Sequence, residues 1–512
     1  NSFQTRHGGN YNAKLGADFY VSKKTTIGVV LSGVTNPQAQ NAENTSYLKS
    51  NTGTVDSIVQ AISSEHSKWK NGSVNLNLRH VFDSTGRELT FDADYLRYDA
   101  TKDQRFYNTS YTPQWALKTS DILLGELPSA IKIYSAKMDY IHPLKKGAKI
   151  EAGLKSSFVE TDNTAGYYSL VGSTKTPDYE KTNRFDYKEN INAAYLNFNK
   201  EMKKWSIQTG LRLENTNYEG NQFGNPTKPD SAFKRSYTSL FPTLFVGYNP
   251  TEKNQFSVSY GRRINRPDYE DLNPFLFFLD KYTYGAGNPF LKPMYSHVLE
   301  ASHTYKQMFT TTLNYSYTKD LFNEVFRQKD FATIVSQGNY GSMEDASISV
   351  NAQVPVDKVW NTNIYTEAKY NRFKGLLNGD DVDVSATTFL VNVNNQFKFK
   401  KGWSAEVSGW YRTKGVEGQL LIKSLGQLNT GVQKQVIKNK GTLKLTVNDV
   451  LRTRNPRGEI NFQNTEARFR QYSDNRTVTL SFSYRFGKPI KGIQKRKTGG
   501  AGTEQNRVKG GN

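Results

Sequence analysis

The chain has 512 residues, a formal net charge of +21 and no cysteine. The absence of cysteine excludes disulfides, thiolate metal sites and cysteine nucleophiles, and no apolar run approaches the roughly 20 residues that a membrane-spanning helix needs. The basic residues are spread through short turns instead of being gathered on one face, which argues against nucleic acid as a partner.

In chain order, segments of alternating apolar and polar residues come in pairs, joined by turn-type residues such as Ser22-Lys23-Lys24 and Lys400-Lys401-Gly402. The predicted antiparallel pairs are 11–21 with 26–33, 74–82 with 87–98, 131–142 with 148–158, 189–200 with 205–215, 237–248 with 255–264, 295–305 with 309–317, 347–354 with 360–370, 387–399 with 403–411, and 427–436 with 441–451. A last strand at 476–486 brings the predicted count to about 19. Polar stretches of about 14–40 residues between the pairs predict long loops at the opposite end.

The strand at 205–213 shows the pattern clearly: Trp205, Ile207 and Leu211 share a face, while Arg212 lies on the other. Successive side chains of a strand point to opposite sides, so the segment has one apolar and one polar face. Repeated strands of this kind, with short turns at one end and long loops at the other, are typical of bacterial outer-membrane barrels. We therefore predict an all-β fold, a transmembrane antiparallel β-barrel over residues 1–486, located in the cell outer membrane and in contact with its lipid and lipopolysaccharide.

The two ends of the chain carry separate expectations. A single-chain bacterial barrel has an even number of strands and both termini in the periplasm, so an odd count predicts at least one further strand before Asn1. The first residues also lack the apolar segment of a signal peptide. Residues 487–512, rich in lysine, arginine and glycine, are expected to form a basic disordered periplasmic tail.

Several motifs, taken together and in order, carry a family resemblance. They are Arg266-Pro267, Tyr269, Leu272-Asn273-Pro274-Phe275, Gly287-Asn288-Pro289, Leu291 and Pro293, with Leu240-Phe241-Pro242 before them and Ser483-Tyr484-Arg485-Phe486 near the end. Over residues 9–487 the chain resembles TonB-dependent receptor barrels, especially the outer-membrane β-barrel family abundant in Bacteroidetes. The resemblance implies 22 strands, of which about 19 are visible, and a preceding plug domain that is absent here. It also implies the TonB complex as a partner, reached through that plug.

Residues 266–293 differ from the other loops because they combine four prolines with several aromatic rings. One interpretation is a self-packed loop folded over the barrel mouth, and the other is an aromatic platform for a ligand. The candidate ligand-binding residues are Arg266, Tyr269, Asn273, Phe275, Tyr282 and Tyr284.

The remaining chemistry gives no catalytic signal. None of the six histidines has a ligand spacing, and the acidic run at 378–383 lacks the spacing of an EF-hand. There is no supported Ser/His/Asp motif, Walker loop or dinucleotide fingerprint, so we predict no enzyme, no cofactor and no metal. Charged residues of inward parity are expected to face a polar lumen, where they contact a plug or line a water-filled path; they include Asp92, Asp94, Lys155 and Glu214.

Three functions fit these features. The first is a receptor or transporter of the TonB-dependent type that binds an extracellular ligand through its long loops for uptake. The alternative is a non-transporting outer-membrane barrel that serves as a structural or secretion-complex component beside an outer-membrane partner protein. A soluble, basic, β-rich surface-binding module would need polar outward faces, whereas the strands show Val, Leu, Ile, Tyr and Phe there. The resemblance favours the first function.

Overall fold

One large sheet dominates the computed structural model of the protein. The structure describes residues 2–49, 52–280, 283–329, 332–377, 380–417, 420–462, 465–473, 475–487 and 499–509. Twenty-four strands form the large sheet, and four short strands form a separate one. Apart from one short parallel pairing, the strand pairs of the described ranges are antiparallel. Within the same ranges, no helix is both long and apolar enough to cross a membrane.

The elements are numbered in chain order. The first strands are β1 (Ser2–Gly8), β2 (Tyr11–Tyr20), β3 (Thr25–Lys49), β4 (Val55–Val81), β5 (Glu88–Tyr111), β6 (Leu117–Glu126), β7 (Ser129–Pro143), β8 (Ala148–Val171), β9 (Thr174–Pro177), β10 (Asn183–Glu201), β11 (Trp205–Phe223), β12 (Ser231–Thr251) and β13 (Asn254–Asn265). They are followed by β14 (Leu276–Asp280), β15 (Thr283–Ala286), β16 (Met294–Tyr305), β17 (Phe309–Lys329), β18 (Ala332–Pro355), β19 (Trp360–Leu377), β20 (Asp380–Lys398), β21 (Trp403–Arg412), β22 (Gly415–Glu417), β23 (Leu420–Ile422), β24 (Leu425–Val436), β25 (Gly441–Asn448), β26 (Arg457–Phe462), β27 (Thr465–Arg470) and β28 (Thr477–Tyr484). The helices are the 3₁₀ turns Glu270–Leu272 and Lys400–Gly402 and the α-helix α1 (Gly502–Gln505).

Nineteen strands make up the barrel wall. Because β1 and β2 pair with successive parts of β3, they act as one interrupted wall strand. Each wall strand pairs with the next in the order β1/β2, β3, β4, β5, β7, β8, β10, β11, β12, β13, β16, β17, β18, β19, β20, β21, β24, β25 and β28. The predicted pairs and the predicted count of about 19 are confirmed. Among the described residues no pairing joins β2 to β28, so each of these end strands has one unpaired edge.

Short turns join the predicted hairpins at one end of the wall. In the turn after β7, Lys146 and Gly147 have φ of 58° and 71°, and in the turn after β20, Lys401 and Gly402 have φ of 59° and 74°. Two successive left-handed residues place the strands of a hairpin at the correct twist. Glycine adopts this conformation without the steric cost that a side chain brings, which explains its position in both turns.

The long polar loops expected between hairpins are largely strand instead. β3 and β4 run for 25 and 27 residues and stay paired almost to their connection, which corresponds to roughly 80–90 Å at about 3.3 Å per residue. A membrane crossing needs only about 9–11 residues. The apolar alternation marks only that crossing, and beyond it the backbone continues to pair although most of the side chains are polar, so the expected loop lengths were wrong.

Large apolar side chains form an exposed band on the outside of the wall. Leu196 of β10 is 57 % exposed and pairs with Leu211 of β11, which is 48 % exposed. The band also includes Leu76, Phe91, Met138, Leu154, Leu213, Leu240, Leu244, Val258, Leu299, Leu313, Ile348, Phe389, Leu443, Leu445, Leu480 and Phe482. An apolar surface of this extent is stable only against lipid, which confirms the predicted lipid-facing parity. Near the short turns, Trp205 stacks on Tyr248 with centroids 4.3 Å apart, as in the aromatic girdle of such barrels.

The apolar core lies inside the wall, towards the end with the long connections. It joins wall residues to residues from the connection between β13 and β16 and from the C-terminus. Its buried members are Leu96, Tyr98, Phe106, Leu123, Leu127, Ile131, Ile133, Val159, Ala165, Tyr167, Phe185, Tyr187, Tyr218, Tyr269, Leu272, Phe275, Phe278, Leu291, Ala501 and Val508.

The expectation of a disordered tail over 487–512 is corrected for residues 499–509. This part of the chain contains helix α1 and lies inside the wall, where Ala501, Glu504 and Val508 are at most 4 % exposed. Composition predicted disorder because the segment is polar and basic. It is ordered because polar groups of the lumen wall pair with it, a feature that composition does not report.

Candidate functional site

The connection between β13 and β16, residues 266–293, is called here the mouth segment. Its four prolines fix φ at their own positions and restrict the residues before them, so the chain leaves the wall in a defined path. Strand β15 pairs in parallel with β18, and the Tyr167 hydroxyl on β8 donates a hydrogen bond of 2.8 Å to the Leu276 carbonyl. Strands β8 and β18 lie on separate parts of the wall, with six wall strands between them. The mouth segment therefore crosses the barrel interior.

Arg266 anchors the start of the mouth segment. Its guanidinium donates to the Glu214 carboxylate at 2.7 Å, to the Tyr237 hydroxyl at 3.1 Å and to the Thr216 hydroxyl at 3.2 Å. The side chains of Arg266 and Glu214 are each 9 % exposed, so the ion pair is nearly shielded from water. Glu214 has the predicted inward position, and a second arginine, Arg212, donates to it at 2.5 Å.

The other candidate residues mainly pack inside the segment. Tyr269 and Phe275 are 2 % and 3 % exposed, and the Tyr284 ring contacts Phe278 with centroids 5.5 Å apart. Asn273 accepts a hydrogen bond of 3.0 Å from the Asn163 amide. This burial is what the self-packed interpretation predicts. Tyr282, also a candidate, lies outside the residues that the structure describes.

A largely apolar cavity of about 270 Å³ remains between the mouth segment and the wall. Trp69 and Tyr98 come from the wall, Phe275 and Phe277 from the mouth segment, and charged groups lie at its rim. Its lining residues are Trp69, Tyr98, Ala100, Lys102, Leu127, Pro128, Ser129, Ile131, Asn163, Thr164, Glu270, Asn273, Phe275, Phe277 and Lys509. Aromatic walls with a few polar groups are typical of small-molecule sites. Two of the six candidate residues, Asn273 and Phe275, thus reach the cavity.

Sequence reasoning missed the wall and tail members of this site. Trp69, Tyr98 and Lys102 lie on β4 and β5, and Lys509 comes from the C-terminus. Strand parity could have placed Tyr98 inside, since it shares a face with Asp92 and Asp94. Nothing local indicated which inward residues face the mouth segment, because that depends on contacts far apart in the sequence.

Glu270, in the lining of the cavity, has a largely buried carboxyl group. Its Oε1 accepts the Lys509 backbone N–H at 3.0 Å, and its Oε2 is buried with no hydrogen-bond partner among the described residues. Burial raises the pKa of the Glu270 carboxyl, although backbone N–H donors, Lys509 among them, oppose the shift. A buried carboxylate oxygen without a hydrogen-bond partner is costly to leave ionised, which agrees with the raised pKa.

The raised pKa of Glu270 leads to a pH prediction. Between its ordinary and its raised pKa, the folded chain binds more protons than the unfolded chain, so the unfolding free energy falls as pH rises through that window. We expect Glu270→Gln to remove this fall. Chemical unfolding between about pH 4 and pH 8 measures it. The control is Glu459→Gln: Lys423 lowers the pKa of the Glu459 carboxyl, so that group contributes the opposite slope. An unchanged pH profile in Glu270→Gln would contradict the prediction.

Comparison with known proteins agrees with this architecture. The chain is similar to the ferric yersiniabactin uptake receptor of Yersinia pestis, with 12 % identity, a TM-score of 0.52 and coverage of 94 % of this chain and 80 % of that one. For the ferric-catecholate import receptor of Escherichia coli K12 the identity is 9 %, the TM-score 0.59 and the coverage 94 % and 81 %. For the ferripyoverdine receptor of Pseudomonas aeruginosa the identity is 11 %, the TM-score is 0.55, and the match covers 94 % of this chain and 71 % of that one. A comparison with curated proteins found no match.

At these identities the solved structures establish the fold alone. The family comparison goes further, because the model of the outer membrane protein β-barrel family matches residues 80–484, well over half of the chain. The wall, its lipid-facing band and this match agree with one another and place the protein in the outer membrane. The chain belongs to the outer membrane protein β-barrel family.

Proposed function

We propose that the protein is an outer-membrane receptor and transporter of the TonB-dependent type, which binds an extracellular ligand between its mouth segment and its wall for uptake. The observation that carries the proposal is the aromatic cavity of about 270 Å³ inside a receptor-type barrel. Solved structures similar in fold include a ferric yersiniabactin uptake receptor, a ferric-catecholate import receptor, a ferripyoverdine receptor and a copper transporter.

The cavity also defines the ligand chemistry. Trp69, Tyr98 and Phe275 give the lining its aromatic rings, and Glu270 adds an acid to it. The proposed ligand therefore has an apolar or aromatic body, and an iron chelate with an aromatic body is the first class to test. TonB would act through a plug domain, which the family resemblance implies upstream.

Uptake of radioactive iron in cells with and without the gene tests the proposal, using ferric chelates with aromatic and with purely aliphatic donors. We expect gene-dependent uptake that stops when the proton-motive force is collapsed. Trp69→Ala is expected to weaken ligand binding by about tenfold or more, since buried tryptophans dominate binding energies. The matched control is Trp205→Ala, in the aromatic girdle at the short turns. Equal effects of the two variants, or uptake independent of the gene, would count against the proposal.

One observation bears on the alternative, a non-transporting structural or secretion-complex component. Strands β2 and β28 each have an unpaired edge among the described residues. Unpaired backbone groups are costly in a membrane, so further strands must cover these edges. If strands of the same polypeptide cover the edges, the receptor is supported, and three such strands would complete a 22-stranded barrel. If strands of a partner chain cover them, the alternative is supported. Purification of the native protein under mild conditions distinguishes the two by showing whether a second chain copurifies.

A further inference from the structure

The C-terminal segment, residues 499–509, meets a row of polar groups on the inner wall. At its start, the Gly499 N–H donates to Asp92 at 3.0 Å and the Gly500 N–H donates to Asp94 at 2.6 Å. A side chain at position 500 would lie 3.0 Å from the Cβ of Lys137, which is tighter than ordinary contact. The wall thus binds this part of the segment through its backbone N–H groups and leaves little room for a side chain.

One turn further on, the segment inserts a carboxylate. Glu504 is 1 % exposed, and its oxygens accept hydrogen bonds from the Lys155 ammonium at 2.8 and 2.9 Å and from the Ser157 hydroxyl at 2.9 Å. Lys155 also donates to the Thr503 hydroxyl at 2.8 Å. Lys155 is itself 7 % exposed, so a buried wall cation is matched to a buried anion of the segment.

Three residues later the charges are reversed. Arg507 is 7 % exposed, forms an ion pair with Glu189 on β10 and donates to the Pro267 carbonyl at 2.9 Å. Its guanidinium also lies 4.2 Å from the centroid of the Tyr269 ring. The wall and the mouth segment together therefore recognise a guanidinium at this position by charge, hydrogen bonding and ring stacking.

We infer that the barrel lumen contains a binding site for a short peptide segment with two glycines, an acid and then an arginine three positions later, and that its occupant is this chain's own C-terminal segment. The wall supplies acceptors for the backbone, a cation for Glu504 and an anion for Arg507, in the order in which the segment presents their partners. Because the segment is tethered to the barrel, its binding is intramolecular and needs only modest affinity at each contact. The inference concerns occupancy of the lumen and does not depend on uptake; a plug domain upstream would meet the same wall residues, so plug and segment would compete for this site.

The bound segment also holds the mouth segment in place. The Tyr269 N–H donates to the Arg507 carbonyl at 3.0 Å, and the Lys509 ammonium pairs with Asp271 at 2.5 Å and with Asp268 at 3.5 Å. Lys509 lines the cavity as well. Departure of the segment would therefore remove these contacts from the mouth segment and take Lys509 out of the cavity lining, so the site couples the C-terminus to access from outside.

Carbodiimide coupling in native outer membranes tests which chain occupies the site. The reagent joins an ammonium to a neighbouring carboxylate as an amide, so we expect mass spectrometry to find Lys509 linked to Asp271 or Asp268. Arg507→Glu places two carboxylates together with Glu189 and is expected to lower this coupling by about tenfold or more. The charge exchange Arg507→Glu with Glu189→Arg should restore it. The matched control is Arg485→Glu, which makes the same charge change at an exposed position just after β28.

A synthetic peptide of residues 499–509 tests the site directly. With a fluorescent label, it is expected to bind the Arg507→Glu protein, whose own segment has left the lumen, and not the unaltered protein. A control peptide of the same composition, with the positions of Glu504 and Arg507 exchanged, should bind at least roughly tenfold more weakly. Glu504→Gln provides a second way to release the segment if Arg507→Glu folds poorly, as judged by the heat-dependent electrophoretic mobility of barrels.

Three results would overturn the inference. One is coupling of Lys509 to the mouth segment that is as strong in folded Arg507→Glu protein as in the unaltered protein. Another is equal binding of the two peptides, or binding of neither, to a folded variant. The third is coupling of Lys155 or Asp271 in native membranes to a different polypeptide or to a plug domain of the same chain, which would make that partner the occupant.

Discussion

Replacing Glu214 with alanine is expected to lower the free energy of unfolding by about 3–5 kcal/mol, the usual cost of breaking a buried ion pair by removing one partner. Without Glu214, the acceptors that remain to the buried Arg266 guanidinium among the described residues are the Tyr237 and Thr216 hydroxyls. Its charge has then lost its ion-pair partner. Arg266→Met is expected to cost less, because Arg212 still donates to Glu214 in that variant.

Equilibrium chemical unfolding of the full chain in lipid vesicles measures both variants. The control is Asp383→Ala, which breaks an ion pair of similar geometry, with Arg372 Nη2 at 2.6 Å from the Asp383 carboxylate, in the extension of the wall beyond the membrane. That pair lies in water, so little change is expected. The prediction is contradicted if Asp383→Ala lowers the free energy of unfolding as much as Glu214→Ala does. It is also contradicted if Arg266→Met lowers it more than Glu214→Ala does.

The barrel wall could be predicted because lipid imposes a strict rule on sequence. Every outward residue of a crossing strand must be apolar, and every backbone group must find a partner in the neighbouring strand. Leu211 and Leu213 alternate with Arg212 for that reason, and the register of β10 with β11 places Leu196 beside Leu211. The same rule predicts the inward positions of Lys155 and Glu214, although it does not predict their partners.

Outside the lipid this rule no longer applies, and prediction from local pattern stops there. The polar stretches of β3 and β4 pair for many residues because backbone hydrogen bonding does not require apolar side chains. The candidate site depends on contacts that are even less local. Arg507 and Glu189, for example, are 318 residues apart in sequence. No periodicity or motif at either residue predicts contact with the other. A basic, glycine-rich C-terminus therefore predicts a disordered tail from its composition alone.

Replacing Leu196 with arginine is expected to destabilise the folded barrel by about 2–4 kcal/mol, the cost of a charge on the lipid face near the membrane midplane. Leu196 is 57 % exposed and five residues from the end of β10 at Glu201. That distance is about 17 Å along the strand at roughly 3.3 Å per residue. With a strand tilt of about 35–45°, it corresponds to about half the height of an apolar band of ~25 Å.

The neighbouring position provides the matched control. Asn197 is on the same strand, one residue deeper towards the short turns, and lines a lumen cavity of about 480 Å³ together with Arg212 and Tyr195. Asn197→Arg adds the same charge at nearly the same depth, but the guanidinium reaches water, so a smaller loss of unfolding free energy than in Leu196→Arg is expected, even with Arg212, Arg262 and Arg263 lining the same cavity. Unfolding of both variants from vesicles of a single lipid composition tests the contrast. If the two arginines cost the same, the outer face of β10 does not meet lipid, and the register that pairs Leu196 with Leu211 would have to be revised by one residue.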